Sequence, residues 1–403
     1  MPIISDNLLF YLKVYSQYFL RNIARLYFKI FIKVPTVEEV LSFCSKRVPY
    51  YMNRGNDINN YPYISKHNVI QNFKSMISDG VIRLRTSTSG TTGTPCDLLR
   101  GITSIIAESY YQNQYFGWNS KYRVIVRADT IFDWTKKPGK IFKKIPFIKE
   151  LYVSSFHIND EKLKSLVDKL ESIGNKCLWA YPSTAYLIAD YCLRNKRQLK
   201  FDLVITSSEI LFEYQIPVIE KAFGCKIKDW YGLAERVAAF YRCDAGNYHE
   251  IPGYSYIEFV HRYDEIYEIV GTSFYNKIMP LVRYKTGDFV KFNHEPCLCG
   301  NKGVNISSIL GRDDDFIDLP DKKLPGILLN AVFNNVKNVK ECQVVQKKDK
   351  NIVVRIVRNK DYNQTDDEIL RDGFCKLLPA EMCSFENVKK IDRGKKFKFI
   401  IKE

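Results

Sequence analysis

The segment Thr-Ser-Thr-Ser-Gly-Thr-Thr-Gly-Thr-Pro, residues 86–95, has the residue types to hold a phosphate. Gly90 and Gly93 let the backbone turn with its N–H groups exposed. Thr88, Ser89, Thr91 and Thr92 add hydroxyl donors. Together these make a nest suited to a polyphosphate. No Gly-Lys-Ser/Thr follows, so the segment is not a Walker P-loop. A Ser/Thr/Gly-rich surface turn would share this composition. A second constellation is Cys243 and His249 in RCDAGNYHE with Cys297 and Cys299 in EPCLCGN. Three thiolates and one imidazole form a tetrahedral zinc set, structural because no position is left for water. The Cys-x-Cys spacing is tighter than the usual Cys-x₂-Cys, and unrelated buried and surface thiols are the alternative.

The elements around these residues follow from periodicity. Residues 5–80 read as mainly helical, with a turn at Tyr61-Pro62. Two short segments, VIRLRTS and CDLLRG, flank the Gly/Thr loop. Residues 102–116 suit a helix and RVIVRAD a buried strand. HINDEKLKSLVDKLESIG reads as a helix capped by Asn159 or Asp160. CLWAYPSTAYLIADYCLRN reads as strand, turn and helix, and FDLVITSS as another apolar strand. IPVIEKAFG is a helix and KIKDWYG the end of a strand. This alternation implies parallel strands with crossover helices. After residue 245, YSYIEFV, DEIYEIVGTSF and MPLVRYKTGDFV read as consecutive antiparallel strands forming a small sheet or barrel. Near GRDDDFIDLP the texture changes again. A hairpin turns at Lys348–Lys350, a helix is capped by Thr365, and FKFIIK closes the chain. The expected fold is α/β: a large N-terminal domain, residues 1–312, with a helical lead-in over 1–60, and a small α+β domain, residues 313–403, joined by a hinge.

The order TSGTTGTP, DWYGLAE, RYKTGD, GRDDD, RGKKFK resembles the adenylate-forming superfamily of acyl-CoA synthetases and peptide-synthetase adenylation domains. Within it the chain is most similar to phenylacetate–CoA ligases and to CapK-like proteins of surface-polysaccharide loci. PYISKHNVIQNF resembles that branch's lead-in to the loop. The motifs span residues 62–397, nearly the whole chain. The resemblance implies that Thr88, Ser89, Gly90, Thr91, Thr92 and Gly93 hold the phosphates of ATP. It implies that the Tyr231 ring lies against adenine and that Glu235 holds Mg²⁺. Asp229, Trp230 and Gly232 flank these in the adenine and ribose site, and Asp288 holds the ribose hydroxyls. Ser208 and Glu209 border the adenine pocket. Arg312 stands at the hinge with Asp313 or Asp314 as pivot. Lys395 is the catalytic lysine that contacts the carboxylate and the α-phosphate. The family's Thr/Ser is Ala234 here, so one hydroxyl near the α-phosphate is absent. Some members of the branch carry a comparable Cys/His cluster. The implied cofactors are ATP, Mg²⁺, structural Zn²⁺ and CoA. The implied partners are a carboxylic acid and an acyl acceptor, either CoA or a sugar nucleotide.

The bulk properties agree. The chain has 403 residues, of which 46% are hydrophobic, enough for two domains and a large core. The net charge of +16 is spread along the chain and favours anionic partners. No nucleic-acid-binding motif accompanies it. Eleven cysteines without regular spacing fit a reducing cytoplasm better than a disulfide framework. Cys44, Cys177, Cys192, Cys225, Cys342, Cys375 and Cys383 read as small core residues. Lys13, Arg21, Arg25 and Lys29 interrupt the aromatic N-terminus, which excludes a membrane span there. Residues 1–33 read as amphipathic helix packed on the protein's own core. The competing reading lays them on the inner face of an anionic membrane. Besides the enzyme, a second function class fits: a binding or scaffold protein with a degenerate nucleotide pocket. The acid itself is not legible, although RADTIFDWTKKPGKIFKKIPFIKE and WAYPSTAY are expected to line part of its pocket.

Overall fold

The protein was analysed as a computed structural model. It describes residues 15–16, 18–19, 27–79, 84–87, 96–117, 121–127, 141–336, 338–392 and 397–403. In chain order the first elements are α1 (Val37–Arg47), α2 (Lys66–Gln71), β1 (Leu84–Ser87), β2 (Asp97–Arg100) and α3 (Ile102–Phe116). There follow β3 (Tyr122–Arg127), β4 (Phe142–Lys144), β5 (Glu150–Ser154), α4 (Asp160–Glu171), β6 (Lys176–Ala180), α5 (Pro182–Arg194), β7 (Leu203–Ser207) and α6 (Gln215–Phe223). The next run is all strand: β8 (Ile227–Gly232), β9 (Ala239–Arg242), β10 (Tyr248–Glu250), β11 (Ser255–Tyr263), β12 (Ile266–Ser273), β13 (Tyr284–Phe292) and β14 (Ile306–Arg312). The chain closes with β15 (Phe316–Asp318), β16 (Lys323–Pro325), α7 (Gly326–Asn330), β17 (Val339–Gln346), β18 (Ile352–Arg358), α8 (Gln364–Cys375), β19 (Cys383–Asn387) and β20 (Ile400–Lys402).

Two compact units result. The first comprises residues 1–123, 145–150 and 228–308. Its strands follow the order β11-β12-β13-β14-β10-β9-β8, with β11 to β13 an antiparallel meander, as the strand-rich texture after residue 245 predicts. β1 and β2 pair antiparallel with Ser87 opposite Asp97. The two ends of the Gly/Thr segment are therefore brought side by side. Residues 5–80 hold less helix than expected: among the described residues beyond 36, only α1 and α2 are α-helical before β1. Tyr61 instead buries its ring and donates to the carbonyls of Leu41 and Gly55, each at 2.8 Å. Residues 27–31 are helical, and Phe28 is buried, stacked on Tyr110 at 4.1 Å between centroids. Tyr27, Ile30 and Phe31 on the same stretch are exposed. The part of the N-terminal segment that is described thus packs on the core through one face.

The second unit comprises residues 124–144, 151–227 and 309–403. Its larger sheet follows β7-β6-β3-β5-β4, with β6 and β7 parallel and β4 and β5 antiparallel. α4 begins at Asn159, whose side chain accepts from Lys162 N. The smaller sheet, β19-β18-β17-β20, mixes an antiparallel β17·β18 hairpin with parallel outer pairs. Its apolar face joins Leu370 and Phe374 of α8 and Phe212 from the β7–α6 loop in one hydrophobic cluster. α8 is capped by Asn363, which accepts from the N–H groups of Thr365 and Asp366. This corrects the expected Thr365 cap, because the amide side chain two residues earlier reaches the same orphan donors. All eleven cysteines are free. Cys375 is exposed, and Cys225 and Cys383 are half-buried, so these three are not core residues as expected. No helix among the described residues is long and apolar enough to cross a membrane.

Candidate functional site

In the first unit the YGLAE and RYKTGD segments meet. Along β13 the residues Tyr284, Thr286, Asp288 and Val290 are buried, alternating with more exposed neighbours, as period-two geometry requires. Pairing with β12 shifts register between Glu268 and Val270, and Gly287 there has φ +72°. That left-handed backbone suits glycine, and a bulge of this kind re-aims the following side chain. Asp288 is held by its own N–H, which donates to Thr286 Oγ1 at 3.0 Å. The Tyr231 hydroxyl donates to Asp288 Oδ2 at 2.6 Å. The Tyr284 hydroxyl donates to Glu235 Oε1 at 3.0 Å. Both carboxylates are buried. The second Glu235 oxygen has no hydrogen-bond partner among the described residues, so a hard cation could take it.

The turn bearing Glu235 is fixed from behind by charges that no motif announces. The Arg100 guanidinium donates through Nε to the Ala234 carbonyl at 2.9 Å. Burial, with the nearby Arg236 charge, pulls the Arg100 pKa down to about 10. Arg236 has φ +60° and forms a buried ion pair with Glu108 of α3, which also accepts from Tyr254 and Gln112. Removing one partner of such a pair leaves an uncompensated buried charge, so this network pins the turn. An arginine bound to a backbone carbonyl leaves no periodic trace in sequence, which is why Arg100 escapes motif reading.

Asp229 and Trp230, expected in the adenine and ribose site, are buried in this unit. Asp229 accepts from the Tyr248 hydroxyl at 2.8 Å. The Trp230 indole, 3% exposed, packs edge-on against Phe116 and Tyr254. Gly232 is required by that indole, since a Cβ there would lie 2.6 Å from Trp230 Nε1.

The second unit holds Ser208, Glu209, Arg312, Asp313 and Asp314. Ser208, just after β7, has φ +69° and its hydroxyl accepts from Arg127 Nη2 at 2.7 Å. Glu209 has both carboxylate oxygens engaged. Oε2 accepts from Ser183 N, at the start of α5, and Oε1 accepts from Phe397 N, each at 3.3 Å. α5 begins with Pro182 and has no side-chain cap of its own, so Glu209 meets a need that the local sequence leaves open. Arg312 ends β14, and its N–H donates to Asp315 Oδ2 at 2.8 Å. Asp313 is exposed and accepts from Lys323 at 2.7 Å, while Asp314 lies in the same short turn. Thr88, Ser89, Gly90, Thr91, Thr92, Gly93 and Lys395 lie outside the described residues.

The four zinc candidates do come together. The ligand atoms of Cys243, His249, Cys297 and Cys299 all lie within 4.8 Å of one another. Cys243 Sγ is 3.7 Å from Cys297 Sγ, and Cys299 Sγ is 3.3 Å from His249 Nε2. A tetrahedron with Zn–S near 2.3 Å and Zn–N near 2.0 Å has edges of roughly 3.5–3.8 Å. His249 Nδ1 faces the Val304 carbonyl at 2.9 Å. That contact places the ring proton on Nδ1 and leaves the Nε2 lone pair for a metal. Burial pushes the Cys297 thiol up, but hydrogen bonds from the Asn247 side chain and from the Cys299 and His249 groups hold it down overall, to about 6. Burial pushes the neighbouring Cys243 thiol the other way, up to about 11, so a metal bound here would have to displace its proton.

The architecture is the adenylate-forming ligase fold. It superposes on 2-hydroxyisobutyryl-CoA ligase, in its postadenylation state in complex with R3-HIB-AMP, with a TM-score of 0.70 over 91% of this chain and 88% of that one, at 14% identity. The likeness in sequence is more specific. Residues 320–403 match the CapK C-terminal domain family. Protein CapK of Staphylococcus aureus is 28% identical over 318 residues, 76% of this chain and 70% of that protein. A phenylacetate-coenzyme A ligase of Thermus thermophilus is 43% identical over 49 residues, 12% of this chain and 11% of that one.

Proposed function

We propose that this chain is an adenylate-forming ligase that activates a carboxylic acid with ATP and transfers the acyl group to an acceptor. In the first step a carboxylate oxygen attacks the α-phosphorus, the bond to the bridging oxygen breaks, and pyrophosphate leaves. In the second step the acceptor attacks the acyl carbon and AMP leaves. The acceptor class is a thiol such as CoA, or an amine or hydroxyl on a sugar nucleotide of the kind that surface-polysaccharide assembly would supply. The observation that carries the reading is the pairing of two distant motifs, Tyr231 with Asp288 at 2.6 Å and Tyr284 with Glu235 at 3.0 Å. It leaves two buried carboxylates beside a strand–turn in a chain with a ligase fold.

In this reading Asp288 accepts from the ribose hydroxyls, as an ionised carboxylate does well. Glu235 holds Mg²⁺, which would supply charge neutralisation for the triphosphate. Residues 88–93 hold the leaving phosphates through N–H and hydroxyl groups. Lys395 stands between the two reacting anions and offsets their repulsion. Arg312, Asp313 and Asp314 mark the start of a C-terminal domain, residues 313–403, that reorients between the half-reactions. The Cys/His set holds one structural zinc.

Acid-dependent ATP–pyrophosphate exchange tests the proposal across a broad panel of carboxylic and amino acids. Exchange is expected with at least one acid. Lys395→Ala should cut it about 100- to 1000-fold, the effect of removing one preorganised charge from a developing transition state. ATP binding, and transfer from preformed acyl-adenylate, should suffer far less. Absence of exchange with every acid would leave the degenerate-pocket binding protein, with Ala234 as its signature, as the better account.

A further inference from the structure

Arg127 is the last residue of β3, Trp179 lies in β6 with Tyr181 just after it, and Ser207 ends β7. In open α/β sheets, ligands bind beyond the carboxyl ends of parallel strands such as β6 and β7. Here the Arg127 guanidinium carbon sits 4.5 Å from the Trp179 ring centroid and 5.7 Å from that of Tyr181. The indole is fixed in turn, since its Nε1 donates to Ser207 Oγ at 3.1 Å. Stacking uses the flat face of a guanidinium and leaves its five N–H donors in the plane. One of the five goes to Ser208 Oγ.

No carboxylate among the described residues pairs with Arg127. The contrast within this unit is plain: Arg194 meets Asp160 and Asp190, and Arg197 meets Asp168 and Glu171. Arg127 and Trp179 are both half-buried, so the guanidinium is reachable and at the same time partly shielded from water. A planar fork of donors, held rigid on an aromatic face at a strand terminus, is complementary to a carboxylate taken edge-on. Arg127 opens RADTIFDWTKKPGKIFKKIPFIKE, and Trp179 and Tyr181 belong to WAYPSTAY, the two segments that the sequence assigns to the acyl pocket.

We propose that the acid activated by this chain carries a second carboxylate, and that Arg127 recognises it. This rests on the adenylation reading given above. Arg127 then acts as a specificity residue: it selects among acids and takes no part in the attack on phosphorus. Dicarboxylic acids and acidic sugar derivatives are the substrate classes that fit, and simple aryl or alkyl acids do not.

The test is pyrophosphate exchange with matched pairs, succinate against butanoate and glutarate against pentanoate, in the unmodified protein and in Arg127→Met and Arg127→Lys. The unmodified protein should favour the dicarboxylate of each pair. In Arg127→Met the ratio of the two kcat/KM values should fall about 100-fold, since a site built to bind a polar group discriminates strongly through it. Arg127→Lys should restore part of that ratio. A loss equal for both members of a pair would overturn the proposal. So would a raised KM for ATP with every acid, which would make Arg127 a phosphate ligand instead. A native preference for the monocarboxylates would also overturn it. Exchange with no acid at all would refute the adenylation reading itself, a result distinct from exchange that ignores the second carboxylate. Melting curves for each variant separate loss of recognition from loss of fold.

Discussion

Tyr231 gives its hydroxyl hydrogen to Asp288 across 57 positions of sequence. In the nucleotide-binding reading that carboxylate must also accept from ribose. A hydrogen bond to a charged group contributes about 1.5–3 kcal/mol. Tyr231→Phe should therefore lower stability without nucleotide by an amount in that range, measured by urea unfolding. Its effect on ATP affinity should be much smaller than that of Asp288→Asn, because the carboxylate survives in the tyrosine variant. Comparable losses of ATP affinity in the two variants would remove Asp288 from the ribose role. Tyr231, Glu235 and Asp288 could be named as candidates because short motifs carry their residue types, and the fold pairs Tyr231 with Asp288 and Tyr284 with Glu235. Arg100 and the Glu108–Arg236 pair could not be named that way. They act on backbone and on each other across the tertiary fold, and a single sequence holds no spacing for that. Asp229 and Trp230 belong to the same motif as Tyr231 and Glu235, and their burial is not something that the motif itself announces.

The loop between β7 and α6 joins two jobs. Phe212 enters the hydrophobic cluster of the C-terminal sheet, and Glu209 bridges the start of α5 to Phe397 N. Phe397 lies two positions past Lys395 in sequence, and in the adenylation reading proposed above Glu209 would act as a positioning residue for that lysine. Misplacement of about 1 Å far from the chemistry can cost 100-fold in rate. Glu209→Ala should accordingly depress pyrophosphate exchange, by about 10- to 100-fold. Transfer from preformed acyl-adenylate should be largely spared, and Glu209→Gln should recover part of the loss. Equal damage to both half-reactions would indicate a purely structural role. Helices with strong end signals were legible in the chain, as Asn159 before α4 shows. The Asn363 cap was misplaced onto Thr365 because both residues are good caps two positions apart. β4 and β5 went unread: FKKIPFIKELYVSS mixes charge and apolar residues without a clean period.

At the scale of the molecule, alternating β and α elements followed by a strand-rich run were enough to place the α/β class. Each compact unit draws on separated stretches of chain, and local pattern does not show which distant stretches pack together. The Cys/His set was legible as a group of four, because cysteine and histidine are few enough to be paired by type, and their ligand atoms lie within 4.8 Å of one another although they come from two distant segments. Protein purified without chelator should contain about one zinc per chain. Stripping the metal, or changing Cys297 to Ser, should lower the melting temperature even where exchange activity per folded molecule persists. Metal analysis that finds none would leave the four residues as an accidental cluster.

Cys243 and Cys297 stand 54 residues apart, and the chain between them makes the whole β11–β12–β13 meander. With a metal at its base, that excursion becomes a closed ring in the topological sense. The turn at residues 261–265 is exposed, a place where a protease can cut. A single cut there opens the polypeptide but not the ring's closure. The two pieces should travel together through gel filtration and part only when a chelator and a denaturant are both present.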